Sequence, residues 1–259
     1  MIIRSEKELE ILRKGGKRLA FVMSELVKKT KVGVFTIELD SLAYDLIKKQ
    51  EGEPAFLNYK PEKNSKPYPT SVCVSINEDI VHCVPTKEKI IKDGDIVSID
   101  LGMKYKNLIT DMAYTIGVGN IDKLGKKLIE TTKTALLSCI KEAKVGGYIG
   151  DIGFAVEKTA KKNKFSVFQE LVGHGVGREL HEDPLIPNFG MKGRGKKLIE
   201  GMVLAIEPMI GEGSGDMVSG RDGFTYKTKD GKRSAHFEHT IIVTKNGPEI
   251  LTKNENLVY

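Results

Sequence analysis

The chain has no tryptophan, few cysteines and no long apolar run. Its three cysteines, Cys73, Cys83 and Cys139, form neither an even set for disulfides nor a closely spaced metal-binding pair. No stretch approaches the ~18 consecutive apolar residues of a membrane span, and the opening MIIRSEKELE lacks the apolar core of a signal peptide. These absences argue against a disulfide scaffold or a membrane protein and predict a globular protein of the reducing cytoplasm.

What the chain does have is enough apolar material for a substantial core. Its 259 residues are 40% hydrophobic, which suits one large domain or two small ones. The formal charge of +6 comes from scattered lysines, with a local cluster at 195–197 and few aromatics interleaved. This pattern favours a solvated surface over a specific nucleic-acid site.

Two aspartates lie in neighbouring extended segments. Asp100 ends the apolar run DIVSID, and Asp111 lies in NLITDMAYT, with the turn-forming piece GMKYKN between them. In an antiparallel hairpin, side chains of matching parity share a face, so both carboxylates can aim at one point. Either aspartate alone could instead simply end a strand, where Asp is common.

A histidine between glycines is the next candidate. His174 lies in ELVGHGVGRELHEDP, where the flanking glycines allow close backbone approach, and a loop of this kind suits a His that ligates a metal. His181 follows beside Glu182 in a polar setting. Because no second His lies four residues on, the stretch is not the H-E-x-x-H helix of zinc proteases.

Two glutamates interrupt apolar, strand-like runs. Glu207 lies in MVLAIEPMI, and Glu238 lies in SAHFEHTIIVT, where alternation places Phe237 and His239 on the opposite face. A carboxylate in such a surface is costly unless it is ion-paired or metal-bound, and either alone could be a buried ion pair. Considered jointly, four carboxylates and one imidazole are what two divalent ions need, which predicts a metallohydrolase. The set is Asp100, Asp111, His174, Glu207 and Glu238.

Six stretches, in this order, resemble the short, type I methionine aminopeptidases: YPTSVCVSINEDIVHCVP, DIVSIDLG, TDMAYT, GHGVGRELHEDP, LAIEPMI and DGFTYKTKDGKRSAHFEHTIIVT. The resemblance implies the α+β pita-bread fold, in which a pseudo-twofold antiparallel sheet is covered by helices and a dinuclear metal site lies between the halves. It also implies removal of the N-terminal methionine from nascent proteins and peptides, with a preference for a small second residue.

The resemblance assigns a role to each metal ligand. Asp111 and Glu238 are expected to bridge two ions, Asp100 to complete one site, and His174 and Glu207 to complete the other. This ligand set suits Co, Mn or Fe, and also Zn. A monovalent cation near Asn77 and Ser234 is a further implication of the family.

The expected mechanism is attack of a metal-bound hydroxide on the first peptide carbonyl. Glu207 is expected to act as the proton shuttle, passing the water's proton to the leaving amine. His181 is expected to stabilise the developing oxyanion, and His82 to hydrogen-bond the peptide nitrogen.

The resemblance also predicts a substrate pocket that fits the methionine side chain. The sequence departs from the family pattern at Phe224, Leu180 and Phe56, and residues 60–67 look like an insertion. These departures bear on the shape of the pocket and leave the metal chemistry untouched. The predicted substrate-binding residues are Tyr59, Tyr68, Cys73, His82, His181 and Phe224.

Capping and periodicity predict four helices. Ser5 and Glu8 form a capping box at the start of a helix that runs to about Thr30, and Gly33 stops this helix. Thr36 caps a second helix, which runs through Lys49. Residues 121–144 and 151–162 are the other two. The predicted extended pieces are SVCVSI, DIVSIDLG, the segment around Asp111, FSVFQELV, MVLAIEPMI and FEHTIIVT.

A weak internal repeat supports a two-half organisation. KVGVFTIELDSLAYDLIKK from Lys31 aligns without gaps on KVGGYIGDIGFAVEKTAKK from Lys144, with Phe35 matching Tyr148 and Glu38 matching Asp151. The sequence therefore predicts one catalytic domain over 1–259, with related halves at about 1–120 and 121–259.

Two other readings of the ligand set stay open. A proline-specific aminopeptidase or dipeptidase of the same fold shares the five ligands but usually carries an extra amino-terminal domain, for which a helix starting at Ser5 leaves no room. A noncatalytic peptide-binding or ribosome-associated relative would be expected to have lost ligands. The expected partners are the N-termini of nascent polypeptides, with transient ribosome association through the basic surface, and the family leans towards monomers.

Overall fold

The fold was analysed in a computed structural model, which describes residues 1–3 and 5–257. Within that part of the chain there are four helices, and none is long and apolar enough to cross a membrane. One continuous core contains buried residues from all four helices and from the sheets they cover. The helices are α1 (Glu6–Lys29), α2 (Thr36–Lys49), α3 (Lys123–Ile140) and α4 (Ile149–Lys162).

Helix α1 forms because its apolar residues recur every three or four positions. Leu12, Leu19, Met23 and Leu26 lie on its buried face. The predicted capping box at its start is wrong: the described residues offer no side-chain cap at Ser5, and the Glu8 carboxylate accepts from Arg178 instead, at 2.7 Å. The helix ends at Lys29, before Gly33, and the Thr30 hydroxyl donates to the Leu26 carbonyl at 2.7 Å.

Helices α2 and α4 start in the same way. The Glu38 carboxylate accepts the backbone N–H of Phe35 at 3.0 Å, and the Asp151 carboxylate accepts that of Tyr148 at 2.8 Å. Thr36 is therefore the first helical residue rather than the cap that we predicted. The matching acids of the internal repeat thus cap their own helices in the same way. This likeness supports the alignment from which the two related halves were predicted.

The strands of the first half of the chain build one four-stranded sheet and the edge of another. Strands β1, β2 and β5 all lie in the sheet with β4, and β3 joins a smaller sheet. The strands are β1 (Glu53–Pro54), β2 (Cys73–Ile76), β3 (Asp79–Val81), β4 (Ile96–Tyr105) and β5 (Leu108–Gly117).

The hairpin of β4 and β5 is regular over its full length. All ten residues of β4 pair with β5, and only Lys106 and Asn107 form the turn, both with positive φ. Most of the piece predicted as a turn, GMKYKN, is therefore strand. Asp100 pairs with Ala113 and Asp111 with Gly102, so the two aspartates lie on the same face, as predicted.

The second half has shorter and more broken strands. The largest sheet here has the order β15-β14-β9-β7-β8, and β10 pairs with β6 and β13 in another. The strands are β6 (Ser166–Val167), β7 (Val172–Gly175), β8 (Glu182–Pro187), β9 (Val203–Ile206), β10 (Met209–Gly211), β11 (Met217–Ser219), β12 (Tyr226–Thr228), β13 (Ser234–His236), β14 (His239–Thr244) and β15 (Gly247–Ile250).

Three predicted extended pieces are interrupted in the structure. FSVFQELV contributes only β6 and the first residue of β7. MVLAIEPMI is divided into β9 and β10 at Glu207 and Pro208, because proline cannot donate to a sheet ladder. FEHTIIVT becomes regular strand only from His239, the start of β14.

The two halves are joined along β5 by a row of hydrogen bonds that we call the seam. The Asp111 N–H donates to the Thr240 hydroxyl at 2.8 Å, and this hydroxyl donates back to the Asp111 carbonyl at 2.7 Å. The N–H of Glu238 donates to the carbonyl of Ala113 at 2.9 Å. The Thr115 hydroxyl donates to the carbonyl of His236 at 2.5 Å. The seam therefore brings Asp111 beside Glu238.

Candidate metal centre

A cleft of about 330 Å³ opens above the seam. It contains all five predicted metal ligands and all six predicted substrate-binding residues. Its walls are Phe56, Tyr59, Pro61, Lys66, Tyr68, Cys73, His82, Asp100, Asp111, His174, Leu180, His181, Glu207, Gly223, Phe224, Tyr226 and Glu238.

Asp100 and Asp111 form the part of the floor that the β4–β5 hairpin supplies. Both are buried, with 8% and 3% of their surface exposed. Burial, together with the charge of Asp111, raises the pKa of Asp100 well above its usual value. Burial raises the pKa of Asp111 to about 7, although the Met112 N–H donates to its carboxylate at 3.0 Å. A cation bound beside these carboxylates would offset their loss of hydration.

His174 lies in strand β7, not in the loop that the sequence suggested. Its Nδ1 lies 2.9 Å from the Gly175 carbonyl, which can only accept, so the neutral ring carries its proton there and leaves Nε2 bare. Burial, and then the charge of His181, lowers the pKa of this imidazole to about 3. A neutral ring with a bare Nε2 is the form that ligates metals.

The glycines beside His174 allow the close approach predicted for them. A Cβ at Gly173 would overlap the carbonyl oxygen of Ala205, and one at Gly175 would overlap that of Asp183. The pairing of β7 with β8 also shifts register between the two glycines. Bare backbone therefore lets the neighbouring strands close tightly around the imidazole.

Glu207 and Glu238 lie where strands are interrupted. The Glu207 Oε1 is 3.4 Å from His174 Nε2, and its Oε2 is 3.3 Å from His236 Nε2. Oε1 of Glu238 is buried and has no hydrogen-bond partner in the described chain. Burial raises the pKa of both glutamates well above the usual value, and the charges of the neighbouring carboxylates add to this effect.

These residues fit divalent metal ions. Donor atoms of Asp111, His174 and Glu238 lie within 4.8 Å of one another, and so do those of Glu207, His236 and Glu238. Four crowded carboxylates with raised pKa values, one of them holding an unpaired oxygen, are unfavourable without a cation. The two donor sets overlap at Glu238, and together they offer the carboxylate oxygens and imidazole nitrogens that divalent ions need.

His236 was missed by the sequence analysis. It ends strand β13 two residues before Glu238, and its Nε2 is buried without a hydrogen-bond partner in residues 1–3 and 5–257. The signal that could have found it is its spacing, because residues two apart in an extended chain share a face. A titratable side chain on the same face as a predicted ligand was a candidate for the site.

His82 and His181 stand above the floor of the cleft. His82 has a left-handed backbone with φ of 58°, and its ring centroid is 5.8 Å from that of Tyr226. His181 Nδ1 lies 2.7 Å from the Tyr59 hydroxyl, and its ring centroid is 4.4 Å from that of His174. Both side chains are exposed to solvent in the cleft. The protein packed around them nevertheless lowers the pKa values of both rings, that of His82 to about 4. Both imidazoles are therefore favoured in the neutral form.

The wall opposite the floor is aromatic. Tyr68 packs edge-to-face against Phe224 with ring centroids 5.4 Å apart, and against Phe56 at 6.4 Å. The segment that looks like an insertion, 60–67, supplies Pro61 and Lys66, and the Lys66 ammonium lies 4.7 Å from the Phe224 ring centroid. The predicted departures from the family pattern thus lie in the wall of the pocket and not in its floor.

The predicted monovalent-cation position lies away from this floor. The Ser234 hydroxyl is 3.1 Å from the carbonyls of both Asn77 and Asp79, so oxygen atoms do gather there. The Asn77 side chain is engaged with Asp95 and the Ile96 N–H. A cation at this position stays a prediction.

Comparison with known proteins identifies the protein family to which the chain belongs. Residues 10–245 match the model of metallopeptidase family M24, so the chain belongs to that family of pita-bread metallopeptidases. Its resemblance within the family is to methionine aminopeptidases over the full length. The chain is 44% identical to the enzyme of Aquifex aeolicus over 96% of this chain and 97% of the relative. It is also 44% identical to methionine aminopeptidase 1 of Bacillus subtilis over 98% and 99%.

Solved structures agree with this placement. The methionine aminopeptidase of Thermotoga maritima superposes with a TM-score of 0.93 at 45% identity, and the match covers 98% of this chain and all of that one. A prolidase from Pyrococcus furiosus matches with a TM-score of 0.78 at 24% identity, and only 66% of its chain is covered. The second likeness shows a shared fold alone. The predicted fold class is therefore confirmed.

Proposed function

We propose that this chain is a metal-dependent methionyl aminopeptidase that removes the N-terminal methionine from nascent proteins and peptides, with a preference for a small second residue. The observation that carries the proposal is the cleft itself. Its floor combines four crowded carboxylates with the bare Nε2 of His174, and its wall is aromatic. The full-length identity to methionine aminopeptidases supports this choice of substrate.

The floor residues would hold two divalent ions. Asp111 and Glu238 would be shared, with Asp100, which lines the same cleft, on one side and His174 and Glu207 on the other. When bound, such ions supply Lewis-acid polarisation and lower the pKa of water towards ~7, which makes a nucleophile near neutral pH. Co, Mn, Fe and Zn all suit carboxylate and imidazole donors.

Glu207 is the residue proposed to move the proton. Its carboxylate is only 12% exposed and belongs to a crowded acidic group, so its pKa is raised and proton uptake is favoured. It would accept a proton from the attacking water and pass it to the leaving amine. A general acid–base group of this kind contributes roughly 10²–10⁴-fold to the rate.

Two neutral imidazoles would hold the scissile peptide. If the Tyr59 hydroxyl donates to His181 Nδ1, the proton of this ring lies on Nε2, which can then donate to the carbonyl oxygen as negative charge develops. His82 would bond the peptide nitrogen from the other side of the cleft. Since both rings stay neutral near pH 7, each can offer one donor and one acceptor.

The pocket for the methionine side chain would be made by the aromatic wall and by two buried residues beside it. Leu180 and Cys73 are 3% and 2% exposed, and burial keeps the Cys73 thiol protonated by raising its pKa. Burying a methionine side chain there would contribute roughly 1.5–3 kcal/mol. A flexible thioether also adapts to the edges of aromatic rings.

The setting proposed for this reaction is the cytoplasm, with a monomeric enzyme acting on nascent chains. The charge of +6 supports transient association with ribosomes through phosphate-rich RNA. Cosedimentation with ribosomes at low salt, and its loss at high salt, is the expected result. Absence of cosedimentation at low salt would remove this part of the proposal.

The decisive experiment measures methionine release from Met-Ala-Ser and Met-Leu-Ser. Wild-type protein and Asp111→Ala would be stripped with a chelator and reconstituted with Mn(II) or Co(II). We expect metal-dependent release from the first peptide, weak release from the second and none from the variant. The proposal would be overturned if no methionine were released with any metal, or if Xaa-Pro peptides were cleaved while Met-Ala-Ser was not.

A further inference from the structure

His236 has an unsatisfied nitrogen at the centre of the molecule. The side chain is 1% exposed, and within the described part of the chain its Nε2 has no hydrogen-bond partner. Buried polar atoms in folded proteins are almost always satisfied by protein, water or an ion. The unpaired Nε2 therefore calls for a partner beside Glu207, which lines the cleft.

The neighbours of this nitrogen are acidic oxygens. Glu207 Oε2 lies 3.3 Å away, while Glu207 Oε1 faces His174 Nε2 at 3.4 Å. One carboxylate thus lies between two imidazole nitrogens, one facing each oxygen. An ion placed beside Glu207 would have both imidazoles within reach.

Two backbone hydrogen bonds to one side chain hold His236 in this position. Its N–H donates to the Thr115 hydroxyl at 2.9 Å, and this hydroxyl donates to the His236 carbonyl at 2.5 Å. These bonds belong to the seam that also positions Glu238. The imidazole is therefore anchored by the same row of bonds as a bridging ligand, and it does not depend on a mobile loop.

The geometry points to His236 as a sixth protein ligand, which binds the divalent ion that Glu207 holds. This inference rests on the proposed two-metal function. Nε2 of His236 and carboxylate oxygens of Glu207 and Glu238 already lie within 4.8 Å of one another. The ion on the Glu207 side would have two imidazoles, from His174 and His236, and the ion on the Asp100 side would have carboxylates alone.

Such an asymmetry has a chemical consequence. Imidazole favours Fe, Co and Zn relative to Mn and Mg, which prefer oxygen donors. Loss of a nitrogen donor should therefore weaken Co(II) or Zn(II) binding more than Mn(II) binding. His236 thus sets the affinity and metal preference of one of the two sites.

The experiment counts the imidazoles bound to Co(II). In the proton NMR spectrum of protein loaded with two equivalents of Co(II), metal-bound imidazoles give strongly shifted resonances. We expect two such sets in the wild type and one in His236→Gln. Calorimetric titration of His236→Gln should show the tighter Co(II) affinity reduced about 10-fold or more, by analogy with losses around other metal sites.

A matched control removes a neighbouring buried imidazole. His239 begins β14 and its Nδ1 lies 2.8 Å from the Thr252 hydroxyl, outside both donor sets. His239→Gln should keep both resonance sets and the wild-type Co(II) affinity. If His236→Gln fails to fold, the wild-type count still decides, and His236→Asn provides a second variant.

The outcomes separate this inference from the proposed function. Only one imidazole set in a wild-type protein that binds two ions would overturn the role of His236 and leave the proposed function intact. Two sets that both survive in a folded His236→Gln protein would also overturn it. A wild-type protein that takes up no divalent metal would overturn the proposed function itself.

Discussion

The two halves of the molecule supply their metal-site residues in different ways. Asp100 and Asp111 lie within a hairpin of two ten-residue strands, whose unbroken register fixes both carboxylates on one face. Glu207 and Glu238 lie at breaks between strands, and His174 lies at a register shift. Regular pairing positions the first pair, whereas local irregularity positions the other three.

The two kinds of strand differ in how exactly they fix the direction of a side chain and in how freely they can redirect it. A long hairpin fixes side-chain direction by its two-residue period and needs no special residues. A broken strand can turn a side chain towards a partner in another sheet, but it needs glycine or proline at defined places. Gly173, Gly175 and Pro208 meet this need in the second half.

The largest expected effect comes from Glu207→Gln, which removes the carboxylate that lies between His174 and His236 in the irregular half. We expect kcat/KM for Met-Ala-Ser to fall by roughly 10²–10⁴-fold, because the proton acceptor is lost. Glu200→Gln, an exposed carboxylate paired with Lys245 at 3.6 Å, should keep its activity. Equal activity in both variants would contradict the role given to Glu207.

The next largest effect concerns the free energy of unfolding when a glycine of either half is replaced by alanine. At Gly173 the new Cβ meets the backbone oxygen of Ala205, which cannot move easily, and we expect a loss of roughly 1–3 kcal/mol in the free energy of unfolding. At Gly102, in the hairpin, it meets the edge of the Phe56 ring at 2.9 Å, which can adjust, and the Ala55 Cβ at 3.0 Å, a less severe overlap than the 2.5 Å at Gly173. Urea unfolding should therefore show the smaller loss for Gly102→Ala. The reverse order would mean that the hairpin is the less tolerant half.

Removal of metal should make stability depend on pH. The acids of the floor have pKa values raised above those of the unfolded chain, that of Asp111 to about 7. The neutral forms of these acids are favoured in the fold, so their contribution is present below about pH 4 and is lost as the pH rises through their folded-state pKa values, which for Asp111 is about 7. The buried histidines act in the opposite direction, because burial lowers their pKa values. The melting temperature of chelated wild-type protein should therefore fall further, or rise less, between pH 5.5 and pH 8 than that of chelated Asp111→Asn.

Added Mn(II) should raise the melting temperature more at pH 8 than at pH 5.5, because metals bind the deprotonated ligands. The control is Asp111→Asn, in which one of these titrations is absent, so its fall in melting temperature from pH 5.5 to pH 8 should be smaller, or its rise larger. Equal changes in melting temperature for chelated wild-type protein and chelated Asp111→Asn would contradict the raised pKa of Asp111.

The smallest expected effect is confined to the hairpin turn. Asn107 has φ of 66°, a conformation that asparagine tolerates better than alanine. Asn107→Ala should lower the free energy of unfolding by roughly 1 kcal/mol and leave kcat/KM unchanged, since the regular strands still fix the two aspartates. A large loss of activity would show that turn and site are coupled.

Sequence patterns predicted the regular half well and the irregular half only in part. The shared face of Asp100 and Asp111 follows from strand parity, which is a local rule. The break at Glu207 was hidden inside one apolar run, and the strand around His174 was hidden by its glycines. His236 was missed because its nearness to Glu207 depends on the pairing of β13 with β10, in which His236 lies opposite Met209, and a local pattern does not contain that pairing.

Helix starts show the same limit. Ser5 and Glu8 have the spacing of a capping box, yet Glu8 bonds Arg178, which lies 170 residues away. At Glu38 and Asp151 the predicted acids of the repeat do bond the start of their own helices. Local signals hold where no distant partner competes for the same carboxylate.

The seam has a consequence for the timing of folding. Its bonds join residues 121 and 129 positions apart, so loop closure on this scale must precede them. During synthesis, the β4–β5 hairpin can pair as soon as Gly117 has emerged, whereas Thr240 comes much later. We therefore expect the metal centre to be among the last features to form, so that activity begins only when the chain is nearly complete.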